Sequence, residues 1–94
     1  MITVAGNRVE VSGAMTLPEA PGLLAEGNAA LANAETLFDL AAVTDVDSSC
    51  IAVIFGWLRN AQQNGKSLSI AHPPKDLISL ADLYGVTELL PLSQ

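Results

Sequence analysis

The amino-acid sequence predicts an α/β fold, a small mixed β-sheet of about four strands with helices packed on it, in the order β-β-α-β-α-β-α. Three observations point there. Two alternating runs at the start flank Gly6-Asn7. A short apolar run near the middle is followed first by a helix-like segment and then by a second alternating run. Gly or Pro residues punctuate every boundary in the second half.

The elements follow in order. Ile2–Ala5 and Arg8–Ser12 alternate apolar with polar, and the Gly6-Asn7 pair between them tolerates φ > 0, as a tight antiparallel hairpin needs. Thr16 can cap the next helix, with Pro18 in its first turn and Glu19 three residues on. Ala20, Leu24, Gly27, Leu31 and Ala34 then recur at helical spacing. Gly22 and Gly27 weaken the intrinsic propensity of that helix, so packing must hold it. Residues 36–43, "TLFDLAAV", have the apolar continuity of a buried strand. A helix from Asp47 to Asn64 stops at Gly65, and "KSLSIAH" alternates as a strand until Pro73-Pro74. The last helix runs from Lys75 to Tyr84, and "VTELLPL" can add a short helical turn. The strand–helix–strand unit over 36–72 should be parallel.

At 94 residues the chain suffices for one domain, 1–94, and not for two. Hydrophobic residues make up 50% and charged residues 15%, so part of the apolar excess is available for a partner. Ten acidic residues against four basic give a net charge of −6. That surface repels phosphate backbones and anionic lipid, which argues against nucleic-acid binding and direct membrane insertion and for a basic protein partner. With Cys50 alone, no internal disulfide forms, as in a reducing compartment. The alternating N-terminus has no signal-peptide pattern, and the longest apolar run, Cys50 to Leu58, is too short to span a bilayer. The expected location is the cytoplasm, at the inner-membrane face if a transporter complex recruits the chain.

On a helical wheel, Ile51, Ile54, Phe55 and Leu58 form the expected core stripe of the central helix. The opposite side carries Ser49, Val53, Gly56 and Asn60, flanked by Trp57 and Cys50, and has no charge for three turns. Another element of the same domain can cover such a face; a docking partner approaching at Gly56 and anchored on Val53 and Trp57 is the favoured expectation. Asp47 is placed to cap the helix, with Ser48 and Ser49 in its first turn, where a phosphate on Ser48 would meet free amides. Such a phosphate would add about two negative charges beside Asp45 and Asp47, the chemistry of a switch. An ordinary Asp/Ser cap explains the same pattern.

Other sites are weaker. Asp39, Asp45 and Asp47 could gather at the strand ends and hold Mg²⁺, but no lysine follows a strand as a receiver site requires. His72 has no catalytic partner in the sequence, and Cys50 is expected as an apolar filler. No glycine-rich phosphate loop, acid–base pair or metal-ligand spacing is present, so neither enzymatic activity, a cofactor nor a bound metal is predicted.

The stretch from "FDLAAVTDVDSSC" through "NGKSLSIAHPPKDLISLADLYGV" resembles a STAS domain, the SpoIIAA-like fold of anti-sigma factor antagonists and sulfate-transporter tails. The likeness runs from the hairpin to the last helix. In that family the hydroxyl residue after the aspartate is the regulatory phosphorylation site, which is Ser48 in this sequence. The usual motif continues with Gly-Leu, whereas this chain has Cys50 and Ile51, which puts a β-carbon where a partner or kinase would approach. The ending "PKDLISLADLYGVTELLPL" is most similar to the small cytoplasmic STAS subunit of phospholipid ABC transporters. Those systems maintain outer-membrane lipid asymmetry in Gram-negative bacteria and are linked to toluene tolerance. The resemblance implies a non-catalytic subunit docked on the transporter's ATPase. The alternative it implies is an anti-sigma factor antagonist that binds a serine kinase and is released by phosphorylation of Ser48. Either partner would use Asp45, Asp47, Ser48, Ser49, Val53, Gly56, Trp57 and Asn60.

Overall fold

In the computed structural model, which describes residues 1–31 and 33–92, the predicted order of elements is present. Strands β1 (Ile2–Ala5) and β2 (Arg8–Met15) form the hairpin, and of its two loop residues Gly6 takes the positive φ, +65°. That is the glycine-first pattern of a type II′ turn, whose twist suits the flanking strands. A 3-10 turn, Leu17–Glu19, leads into helix α1 (Ala20–Ala30). Strand β3 (Glu35–Val46), helix α2 (Ser48–Gln63), strand β4 (Ser67–Ala71), helix α3 (Lys75–Leu83) and a 3-10 turn at Thr87–Leu89 follow. The expected first helix is therefore shorter, since Ala34 is exposed beyond its end. The sheet runs β1-β2-β3-β4, with β1 antiparallel to β2 and the other pairs parallel.

Because strand order follows chain order, crossovers of one hand put α1 and α2 on the same face of the sheet, where they pack against each other. Alternation along the strands supplies the other half of the core. Val9 and Val11 of β2, Phe38 and Leu40 of β3, and Leu68 and Ile70 of β4 all point to that face and are buried. Arg8, Glu10, Glu35 and Ser67 occupy the opposite face and are exposed. The free edge of β4 is partly closed by the C-terminal segment, where the Ile70 amide donates to the Pro91 carbonyl at 2.7 Å and Ile70 bridges Leu92.

The orientation of α2 differs from the wheel prediction. Its buried residues are Cys50, Ile51, Val53, Ile54, Trp57 and Ala61, while Phe55 and Leu58 are only half-buried. The buried stripe is thus turned by roughly 70° toward Trp57. The reason is that α2 has two neighbours, the sheet beneath it and α1 beside it. Trp57 is fully buried, stacks on Phe38 with ring centroids 4.5 Å apart, and donates its indole N–H to the Leu23 carbonyl of α1 at 3.1 Å. The helices come this close because position 27 is glycine: a Cβ there would lie 2.0 Å from Trp57 Nε1.

Candidate functional site

The polar start of α2 is built by strand length and capping together. Strand β3 runs seven residues beyond its last pair with β4, Asp39↔Ala71, and delivers Asp45 and Asp47 at the rim of the sheet. Asp47, in extended backbone, accepts the Ser49 amide at 2.8 Å and caps α2. Its other carboxylate oxygen accepts the Leu17 amide at 3.1 Å. One side chain therefore satisfies free amides of two helical starts, that of α2 and that of the turn entering α1. The turn at Thr16 is closed by Glu19, whose carboxylate accepts the Thr16 amide at 3.3 Å and the Thr16 hydroxyl. Partial burial raises the pKa of Asp47, but the hydrogen bonds from Ser49 and Leu17 outweigh it and hold the carboxyl below its ordinary value.

Around this cap Ser48 and Asp45 are exposed and Ser49 is half-buried. The structure brings Asp45, Asp47, Ser48 and Ser49 together and separates the remaining predicted residues from them. Val53 and Trp57, 3% and 0% exposed, are core residues packed against α1; Trp57 is closed to a partner, and Val53 shows only the floor of a groove between the helices. Gly56 is half-buried, and a Cβ there would lie 2.5 Å from Leu24 Cδ1 of α1. The flat face expected for docking is, at these three positions, the α1–α2 contact. Asn60 is half-buried twelve residues beyond Ser48, about 18 Å along the helix. It lines a groove of about 330 Å³ with Leu24, Asn28, Gly56, Arg59 and Gln63.

Cys50 bears on the departure from the Gly-Leu motif. Its side chain is fully buried with Sγ 3.8 Å from Met15 Sδ, so its β-carbon points into the core and leaves the outer surface of the first turn clear. Burial, with the nearby Asp47 charge, pushes its thiol pKa up to about 12, which makes it an inert filler at neutral pH.

Asp39 does not join Asp45 and Asp47. It lies on the opposite face of the sheet, where β3 carries an extra residue relative to β2 and the Ala41 amide turns onto its carboxylate at 2.9 Å. Arg8 pairs with its other oxygen, and His72 Nδ1 lies 3.1 Å from Oδ1. The Ala41 amide, His72 and Arg8 together hold this buried carboxyl below its ordinary pKa against the opposing effect of burial. His72, with φ +52°, is exposed at the end of β4, with its ring within hydrogen-bond reach of Asp39. Among the described residues no group of three His, Cys, Asp or Glu side chains is placed to hold a metal ion, and no helix is long and apolar enough to cross a membrane.

Two features escaped the sequence reading. Ala20, Pro21, Leu24, Ala52 and Val53 line an apolar groove of about 290 Å³ between α1 and α2. Phe55, Leu58 and Leu89 line a second of about 480 Å³, with Arg59, Gln62 and Glu88 at its walls. The signal for the first was on the wheel, where Ala52 falls within about 40° of Ser48 and Arg59 on the outward side of α2.

This sheet with its helices on one face and a capped, serine-bearing helix start is the STAS architecture, and the chain belongs to the STAS domain family: the family model described as "Mlab, STAS domain" matches residues 2–91. Over 51 residues it is 33% identical to the intermembrane phospholipid transport system binding protein MlaB of Haemophilus influenzae. That match covers 54% of this chain, and the chain spans about half the length, 49%, of that curated relative. The fold is shared with the anti-sigma factor antagonist SpoIIAA in its unphosphorylated form, with a TM-score of 0.70 at 12% identity over 100% of this chain and 86% of that one. A Thermotoga maritima protein solved as a candidate anti-sigma factor antagonist gives a TM-score of 0.78 at 12% identity, covering 100% and 85%.

Proposed function

We propose that this chain is a non-catalytic regulatory or assembly subunit that docks on the ATPase of a phospholipid-transporting ABC system maintaining outer-membrane lipid asymmetry. The observation that carries this reading is the family match over residues 2–91, which the segment related to MlaB supports. The surface it assigns to docking is the start of α2, with Asp45, Asp47, Ser48 and Ser49 and the outward side of that helix as far as Asn60. The acidic rim suits a basic ATPase surface, and recruitment through the ATPase would bring the chain to the inner-membrane face without a membrane segment of its own.

Ser48 is the position through which such docking would be regulated. It is exposed at the positive end of α2 beside two carboxylates. A phosphate there is tolerable to the helix, while its bulk and hydration shell at the rim would hold a closely packed partner away. Native affinity purification from the source cells tests the reading. The expected result is recovery of an ABC ATPase with its permease, and weakened recovery with Ser48→Glu while the melting temperature is kept. Recovery of a soluble serine kinase instead would assign the chain to the second reading, an anti-sigma factor antagonist switched at Ser48, which the fold shared with SpoIIAA favours.

A further inference from the structure

We infer that the apolar groove between α1 and α2 receives one large aliphatic or aromatic side chain from a partner segment that also carries a lysine or arginine. The inference rests on the docking reading and specifies the partner's chemistry at that surface. The groove is lined by Ala20, Pro21, Leu24, Ala52 and Val53, offers about 290 Å³, and has walls that are almost wholly apolar. Leu17, in the turn entering α1, is 68% exposed, and Ala52 and Pro21 are also open to solvent. Ala52 lies one turn beyond Ser48, about 6 Å along α2, so the groove opens next to the capped helix start.

The charges at that end select the occupant. Glu19 precedes Ala20 directly, and Asp45 and Asp47 stand at the start of α2; among the described residues no Lys or Arg belongs to the groove or to this rim. An anionic lipid surface is repelled by such a rim, whereas an apolar knob followed by a cation within about one helical turn meets both features. The groove of Phe55, Leu58 and Leu89 has Arg59 and Glu88 on its walls and makes no such selection.

The test is binding of the purified transporter ATPase to the full chain at low and high salt. Ala52→Trp, at an exposed position, fills the groove and should weaken binding by about tenfold or more, as loss of a central anchor does. Asp45→Lys should weaken binding severalfold and flatten its salt dependence. Leu89→Ala, in the other groove, should leave affinity as it is. Circular dichroism and melting of each variant separate loss of binding from loss of fold. Wild-type affinity in a folded Ala52→Trp would overturn the groove assignment while leaving the subunit reading standing. Failure of the wild-type chain to bind the ATPase would overturn both. Capture of the wild type, but not of Ala52→Trp, by vesicles of neutral phosphatidylcholine would give the groove to lipid and overturn the protein occupant.

Discussion

At residue 27 the absence of a β-carbon decides how the helices meet. Trp57 fills the space that a side chain would take, and its indole N–H reaches the Leu23 carbonyl only because α1 lies that close. Gly27→Ala should therefore cost about 1–3 kcal/mol, the usual range for overpacking a filled core, because the clash is with a ring stacked on Phe38. Gly22 is the internal control. It is exposed in the same helix, with nothing near a built Cβ, so Gly22→Ala should be neutral or stabilise by about 0.5–1 kcal/mol. Urea unfolding followed by the fluorescence of Trp57, the one tryptophan in the sequence, measures both. Equal stability of the two variants would mean that α1 slides away from α2 without cost. In the sequence, Gly27 was legible only as a small residue at helical spacing, because its role depends on a ring thirty residues later.

Helix α2 shows where periodicity succeeds and where it fails. Its start at Asp47, its stop at Gly65 and its length follow from local chemistry, a carboxylate cap and a left-handed glycine of φ +67°. Its facing does not. The apolar residues cover more than half of its circumference, so a wheel finds several stripes, and the neighbours α1 and the sheet select Trp57, Ile54 and Ala61. Phe55 and Leu58, expected inside, line an open groove instead. Two substitutions measure the difference. Ile54→Ala empties a fully buried site and should cost about 2–5 kcal/mol, while Leu58→Gln, half-exposed, should cost about 1 kcal/mol or less. Equal costs in thermal melts would restore the stripe that the wheel predicts. The capped helix start was legible because it is local in sequence; the groove beside it was not, since Ala52 meets Ala20, Pro21 and Leu24 only through the tertiary fold.

Across the whole molecule, the two faces of the sheet divide the work. The helix-covered face carries the core, and the open face carries one buried charge, Asp39, which joins Arg8 of β2 to His72 at the end of β4. The sequence placed Asp39 on its strand but paired it in prospect with Asp45 and Asp47. Six positions of β3 and two register shifts against β2 separate Asp45 from Asp39, so the carboxylates do not meet. Asp39 and Asp47 both titrate below their ordinary value in the fold. A carboxylate with a lowered pKa stabilises the native state above its unfolded pKa, near 4, and that contribution is lost as pH falls through the lower native value. The wild-type chain should therefore lose stability steeply below about pH 4. Asp39→Asn removes the charge while keeping the shape; at pH 7 it should cost about 1–3 kcal/mol, the range for hydrogen bonds to a charged group. As pH falls below about 4, protonation of the wild-type carboxyl removes the same charge, so the two melting curves should converge. Thermal melts from pH 7 downward decide the point. A gap that stays constant through that range would mean that the negative charge of Asp39 contributes nothing, and that the three strands are held at this point by geometry alone.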